Sequence, residues 1–404
     1  MKTAHIVGMM GARMNYAVPM ILHSQGMLAI LCTDYAIPNW LERGLSIFPD
    51  VVIPDDIRRL QSRKAHGIPE GLVKSFNSFG IEYWFRLRKS LSEKERIAVF
   101  LWAGRTFCKL LNKNMPESAN SIYVYNTAGL ETLEYARARG MKTVLEQSSA
   151  PRETEEAIME KEYSLFRDWE DSSACHSPEY AKRQHDEWQL ADTIICGSEF
   201  VRECVIENGG PGSKCKVVPY GIEIPEKTTP KDRKHGGPIR VLFAGRISLQ
   251  KGVQYLLKCA NKLRGTASVR CVGTPMINPS VLASYAQFVE FTGAVPRQDM
   301  ASHYQWADVF VLPSLCEGSA IVTYEALAHG VPVICTPNSG STVRDGYNGF
   351  IVPLRDADAI SAKLLELSRN DNLLGYLSSN ALLSAHELSI EAYGKRLLNT
   401  INTP

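Results

Sequence analysis

At 404 residues the chain exceeds the roughly 100–200 residues usual for one domain, so two domains are expected, and a 45% apolar share supplies sizeable cores. With 45 Lys and Arg against 43 Asp and Glu, the net charge of +2 excludes a strongly basic nucleic-acid binder. The 10 cysteines include no C-x-x-C spacing, and most sit in apolar runs such as Ile194-Ile195-Cys196. That pattern suits small buried thiols in a reducing compartment better than a disulfide frame or a zinc site.

Residues 1–34 are fairly apolar but are broken by Arg13, Asn15, His23 and Gln25. They have neither the run of a signal peptide nor the length of a membrane span, and no other stretch qualifies. A soluble, cytoplasmic protein is expected, one that could still touch the inner face of a membrane. Residues 4–7 read as an edge strand, followed by the loop Gly8-Met9-Met10-Gly11. The region 58–113 carries thirteen Lys or Arg against four Glu. Its amphipathic Tyr83-Trp84-Phe85-Arg86-Leu87-Arg88-Lys89 could face anionic lipid or an anionic acceptor. A solvated helix with a buried aromatic side would look the same.

Strands follow at 122–125, 143–146 and 193–196, with an acid-rich stretch at 151–187. Residues 222–238 hold Pro225, Pro230, Gly236, Gly237 and Pro238 and read as the interdomain linker. A second series then starts: strand 239–244, helix 253–263, strands 268–272, 288–291 and 309–312, helix 319–329, and strands 331–335 and 350–352. Helical patterns at 356–367, 373–386 and 390–401 close the chain. Alternating strands and helices in both halves argue for parallel α/β sheets.

The chemistry concentrates in two places. After the strand at 309–312 comes a Pro313-Ser314 turn with Glu317 at its tip, then a helix containing Glu325 and ended by Gly330. A carboxylate accepts through two oxygens and so can hold a vicinal diol, while free amides at a helix start, around Gly318 to Ala320, attract anions. A ligand that is both sugar and phosphate, such as a nucleotide-sugar, fits. Two glutamates in a helical segment mean little alone. Upstream, the strand at 239–244 ends in Gly245 and a basic loop carries Arg246 and Lys251 to Gly252, at the carboxyl end where open α/β sheets bind ligands. One such charge about 4 Å from a phosphate oxygen is worth on the order of 4 kcal/mol at an effective dielectric near 20. A lone R-x4-K is weak; joined to the glutamate pair it is strong.

Together, Gly245-Arg246…Lys251-Gly252, the segment Glu317 to Glu325 and Gly330-Val331-Pro332-Val333 resemble family 4 (group 1) retaining glycosyltransferases of the GT-B fold. Ala191-Asp192-Thr193-Ile194-Ile195, Val217-Val218-Pro219-Tyr220-Gly221 and Asp345-Gly346-Tyr347-Asn348-Gly349 add to the likeness, which is dense after Leu190 and thin before Ile122. The resemblance implies an α/β protein of two Rossmann-like domains facing a deep interdomain cleft. An acceptor-side domain would occupy 1–222 and a nucleotide-sugar-binding domain 223–385, with a C-terminal helix at 386–404 packing back on the first. It implies transfer of a hexose or related sugar, with retention, from a UDP- or GDP-sugar to a hydroxyl of a glycan, lipid-linked or small-molecule acceptor, in polysaccharide or glycoconjugate biosynthesis. Neither cofactor nor nucleic acid takes part, and catalysis is expected to be metal-independent.

By the same resemblance, Arg246 and Lys251 bind the donor diphosphate beside Gly245, Glu317 holds hydroxyls of the transferred sugar, and Glu325 holds the ribose. Backbone at Gly318, Ser319 and Ala320 would cradle phosphate and sugar, Val295 would meet the nucleobase, and Gly11 would approach the diphosphate from the other domain. Two places depart from the family. Many relatives carry a histidine after the strand that reads Thr143-Val144-Leu145-Glu146-Gln147-Ser148 here, so Glu146, or failing it Gln147, would act on the acceptor side or merely cap the next turn. Asn338-Ser339-Gly340-Ser341-Thr342-Val343-Arg344 stands where relatives often show Gly-Gly and a glutamate.

Asp356-Ala357-Asp358 spells the D-x-D of metal-dependent enzymes but begins a helix, where capping alone favours Asp. The rival readings are a nucleotide-sugar epimerase, a phosphorylase, and a non-catalytic scaffolding subunit; the presence of Arg246, Lys251, Glu317 and Glu325 together disfavours the last.

Overall fold

The central strands, such as His5–Met9, Ser121–Tyr125 and Val309–Leu312, are short, largely apolar runs buried along their length, as parallel strands covered on both faces require. The computed structural model describes residues 3–37, 63–171, 175–226, 228–231 and 236–402. The chain divides into two units, the first comprising Met1–Ser148, Ser177–Ile195 and Gly209–Lys216, the second Ser149–His176, Cys196–Asn208 and Val217–Pro404.

The first unit is built on β1 (His5–Met9), β2 (Leu28–Thr33), β3 (Val73–Ser75), β4 (Ser121–Tyr125), β5 (Lys142–Gln147), β6 (Thr193–Cys196) and β7 (Cys215–Val217). Their order in the sheet is β3-β2-β1-β4-β5-β6-β7. β1 pairs in parallel with β2 through Ile6 and Ile30 and with β4 through Ile6 and Ile122. The expected edge strand is therefore central, and it runs on through Gly8 and Met9, which pair with Cys32 and Thr33. β2, β3 and β7 have no counterpart among the strands read from the sequence. The helix Glu93–Asn112 is fixed at its start by a capping box, Ser92 Oγ accepting the Glu95 N–H at 3.2 Å and the Glu95 carboxylate accepting the Ser92 N–H at 3.3 Å.

In the second unit β8 (Ile239–Ala244), β9 (Ala267–Val272), β10 (Val289–Gly293), β11 (Val309–Leu312), β12 (Val333–Cys335) and β13 (Gly349–Ile351) form a sheet of order β10-β9-β8-β11-β12-β13. The ladders are parallel, and β11 is buried along its whole length. Both sheets share one plan: the first strand is central, the next two stack on one side, and the fourth returns to the other. The connections diverge between β1 and β4, and again between β8 and β11, which are the topological switch points where such sheets open crevices.

The helix Arg152–Leu165 also belongs to the second unit. Its fully buried Glu162 accepts from Gln254 Nε2 at 2.8 Å and from the Tyr255 hydroxyl at 2.9 Å, and pairs with Arg355. The C-terminal helix Ile390–Asn402 packs Tyr393 on Tyr220 with ring centroids 6.1 Å apart, and Arg396 donates to the Pro219 carbonyl at 3.0 Å. Within the expected linker, residues 227 and 232–235 lie outside the described residues, as do 58–62 of the basic region. Asp356 caps the helix Ala357–Arg369, accepting the Ala359 N–H at 2.8 Å, and Asp358 pairs with Lys262. Among the described residues, no helix is long and apolar enough to cross a membrane.

Candidate functional site

The loop after β8 is anchored by its apolar members. Ile247 and Leu249 are fully buried, the Ile247 N–H donates to the Thr274 carbonyl at 2.9 Å, and the Leu249 N–H donates to Glu170. Ser248 between them is buried as well, while Gln250 and Lys251 after them are half-buried. Arg246 is exposed, and no hydrogen bond or ion pair holds it among the described residues. Gly252 ends the loop at φ +71°, where an added Cβ would lie 1.9 Å from the Pro313 carbonyl oxygen. Only glycine lets this loop approach the one after β11 so closely.

That approach brings Lys251 and Glu317 together as an ion pair, their side chains 18% and 13% exposed. Glu317 also accepts from the Ser314 hydroxyl at 3.2 Å, and its N–H donates to the Asn338 carbonyl at 3.1 Å. The rest of the turn is tied from three directions. The Leu315 N–H donates to Gln250 O at 2.9 Å, Asn338 Nδ2 to Leu315 O at 2.9 Å, and Ser198 Oγ to Gly318 O at 2.6 Å. Glu317 is therefore a fixed acceptor on a rigid turn.

The following helix runs Ile321–Ala328, two residues later than expected, with Ala320 as an N-cap that offers no side-chain bond. The Ala320 N–H is already used by Ser339 O at 3.2 Å and the Ile321 N–H by Ser319 O at 3.0 Å. The amides of Gly318 and Ser319 have no partner among the described residues, so the anion-attracting donors sit in the turn and not at Ala320. Ser319 Oγ is 2.7 Å from the Tyr324 hydroxyl.

Glu325 accepts from the Tyr304 hydroxyl at 2.9 Å and lies 3.7 Å from Arg297 Nη2. Burial first, then the Glu325 charge, push the Tyr304 phenol well above its ordinary pKa, so it stays a donor; its ring stacks on His329 at 5.1 Å. Val295 is half-buried in the loop after β10, just beyond Gly293 at φ +75°. Gly245, Arg246 and Lys251 share one loop, and Glu317, Gly318, Ser319 and Ala320 another. Ser314, Ser198, Asn338, Tyr304 and Arg297, which hold these groups, were given no role in the site from the sequence, although Ser314 and Asn338 lie in segments read there: the five come from four separate segments, and no spacing links them.

Two expected site residues belong to the first unit. Gly11, at φ +77°, donates its N–H to Asp34 Oδ1 at 2.8 Å and has open space where a Cβ would stand. Glu146 is the residue expected on the acceptor side. It is 2% exposed, and its Oε2 accepts from the Tyr123 hydroxyl at 2.5 Å. Gln147 is fully buried and accepts from Trp188 Nε1 at 2.9 Å. Both side chains are held inside the unit because β5 is covered on both faces.

Residues 238–370 match the family described as "Glycosyl transferases group 1". The amylovoran biosynthesis glycosyltransferase AmsK of Erwinia amylovora is 29% identical over 185 residues, 41% of this chain and 45% of that protein. A D-inositol 3-phosphate glycosyltransferase of Thermobispora bispora is 30% identical over 250 residues, 54% of this chain and 58% of that protein. The chain thus spans about half the length of these curated relatives. The crystal structure of HepE of Anabaena in complex with UDP superposes with a TM-score of 0.65 at 15% identity, covering 99% of each chain. The two Rossmann-like units are those of the GT-B fold.

Proposed function

We propose that the protein is a glycosyltransferase that moves a sugar from a nucleotide-sugar to a hydroxyl acceptor in polysaccharide or glycoconjugate assembly. The observation that carries this reading is the Lys251–Glu317 pair at the β8–β11 switch point, inside the segment that matches group 1 glycosyltransferases. A diphosphate arriving there takes Lys251 from Glu317 and finds Arg246 and the Gly318 and Ser319 amides free to donate. The released Glu317 carboxylate then accepts from the sugar hydroxyls, and Glu325, already oriented by Tyr304, accepts from the ribose.

As the bond from the anomeric carbon to the diphosphate oxygen breaks, negative charge grows on the leaving group, and the fixed cations stabilise that state more than the bound donor. The acceptor oxygen bonds to the anomeric carbon on the face the diphosphate leaves, and its proton passes to a diphosphate oxygen. The donor's configuration is retained, and the charge is met by side chains without a metal ion. Activity should therefore survive EDTA; abolition by EDTA with rescue by Mg²⁺ or Mn²⁺ would reverse that part.

Peripheral contact with anionic lipid belongs to the same reading. The helix Asn77–Lys89 leaves Ile81 and Phe85 exposed beside Arg88 and Lys89, with Leu91 90% exposed just beyond it. Co-sedimentation with anionic but not neutral vesicles is the expected result, and equal recovery with both would remove it.

Incubation with UDP- and GDP-sugars, with and without candidate acceptors, tests the main reading. Release of nucleoside diphosphate coupled to a new glycoside whose anomeric proton coupling matches the donor's is expected. An altered free sugar with no acceptor would make the protein an epimerase, a requirement for inorganic phosphate a phosphorylase, and no nucleotide binding at all a scaffold.

A further inference from the structure

At the other switch point, between β1 and β4, the first unit contains a cavity of about 320 Å³; the resemblance gives its Gly11 to the donor diphosphate and gives its charged side chains no role. Its charged lining is unbalanced. Arg63 donates to Asp34 Oδ2 at 2.7 Å, and the other oxygen of that carboxylate, whose side chain is 2% exposed, takes the Gly11 N–H at 2.8 Å and the Thr33 hydroxyl at 3.2 Å. Asp34 is thereby fully committed. Arg13 stands apart: it lies over the Tyr125 ring at 5.1 Å and donates to Ser148 Oγ at 2.9 Å, and no carboxylate pairs with it among the described residues. Two guanidinium groups against one carboxylate leave an uncompensated fork, the geometry that suits phosphate or carboxylate. Tyr83 and Tyr180 supply further flat walls.

The cavity is also built to hold its shape. Thr127, on its rim, sits at φ +67°, a left-handed conformation. The buried Glu187 carboxylate holds that turn by accepting the N–H groups of Thr127, Gly129 and Leu130 at 2.6, 3.0 and 3.1 Å, and Arg183 Nε donates to Thr127 O at 2.7 Å. Gly104 presses against the same carbonyl, where an added Cβ would lie 2.2 Å from the oxygen. Directly after Arg13 in the chain, Met14, Asn15 and Tyr16 are consecutive left-handed residues at φ 47°, 51° and 62°. Backbone of this kind collects at ligand clamps and persists only where its surroundings enforce it.

We propose that this cavity binds a single sugar or cyclic polyol ring carrying a phosphate or carboxylate, with Arg13 on the anion and tyrosine faces on the ring. Its volume lies at the small end of ligand pockets and suits one ring, not a chain. That the ring is the acceptor rests on the glycosyltransferase reading; that it binds does not.

The test is calorimetric titration of the full chain, without nucleotide, using a hexose phosphate, a hexuronate, a neutral hexose and inorganic phosphate as separate probes. One anionic ring should bind at least about tenfold more tightly than both the neutral ring and phosphate alone. Arg13→Gln should remove that preference and Arg13→Lys should restore part of it, with the melting temperature and the affinity for nucleoside diphosphate unchanged. Equal binding of neutral and anionic rings, equal binding of bare phosphate, or no binding of either anionic ring would overturn the proposal. So would an Arg13→Gln variant that loses nucleoside diphosphate to the same degree, because the cavity would then serve the donor. Anionic-ring binding without any sugar transfer would leave the cavity standing and remove only its role as acceptor site.

Discussion

Lys251 and Glu317 neutralise each other in a part-buried pair, and that gives their two substitutions different signs. Lys251→Ala strands a carboxylate where a diphosphate would sit, so nucleoside diphosphate affinity should fall and turnover should drop by about 10²–10³-fold. Glu317→Gln frees the cation, so the diphosphate should bind more tightly while transfer still slows. Calorimetry paired with a turnover assay reads both, and equal weakening of the diphosphate by the two variants would end the account of competition. Glu146 calls for a different readout. Beside Tyr123 in the interior, its replacement by Leu leaves a buried hydroxyl without its acceptor, so the melting temperature should fall while the folded fraction keeps its turnover. Glu131 carries a pH signature. Burial alone would raise its carboxyl, but the Arg183 fork, donating at 2.8 and 2.7 Å, outweighs it and holds the pKa at about 2, against 4.5 ordinarily. A lowered folded-state value means that the unfolded chain takes up the proton first. Stability from this pair is complete above about pH 4.5 and is lost as pH falls toward 2, and Glu131→Gln should flatten that acid limb in circular dichroism.

At the scale of elements, the switch-point loops depend on backbone approach more than on side chains. Gly252→Ala forces a Cβ against Pro313 O at an unfavourable φ, a strain of about 1–2 kcal/mol from the dihedral alone. Because Pro313 begins the Glu317 turn, the variant should lose nucleotide affinity together with melting temperature, whereas a change confined to stability would show that the two loops are not coupled. The same elements show what a sequence displays. β11 and its helix were legible because a four-residue apolar run, a Pro-Ser turn and a terminating Gly330 follow in order. β2 was not, since Leu28-Ala29-Ile30-Leu31-Cys32-Thr33 is apolar throughout and merges with the apolar stretch before it. β3 and β7, at three residues each, carry too little pattern to stand out. Of the site, the charged loop residues were readable from spacing, but the groups that orient them were not. Tyr304 reaches Glu325, and Ser198 reaches Gly318, only after the chain has folded.

On the scale of the whole molecule, the two sheets repeat one strand order, and each sets charged side chains at the same reversal of direction. The Lys251–Glu317 pair and the residues lining the Arg13 cavity come from different units. Ligand binding to a native state raises its melting temperature. In scanning calorimetry a nucleoside diphosphate should accordingly still protect the Arg13→Gln variant, and an anionic ring should still protect the Lys251→Ala variant. Loss of both protections in either variant would show that one site serves both ligands.

The order in which the chain visits the units limits how such proteins can exchange parts by recombination. The boundary is crossed five times, with 149–176 and 196–208 belonging to the second unit although they precede residue 222 in sequence. A hybrid of two related chains spliced once near 222 would take the helix Arg152–Leu165 from one parent and Gln254, Tyr255 and Arg355 from the other, placing the buried Glu162 among residues not selected to receive it. An unmatched buried carboxylate is strongly destabilising. Such hybrids should aggregate on expression, whereas those in which both early segments travel with the second parent should yield folded protein. Exchange of parts between related chains is therefore expected to follow a mosaic of segments and not a single breakpoint.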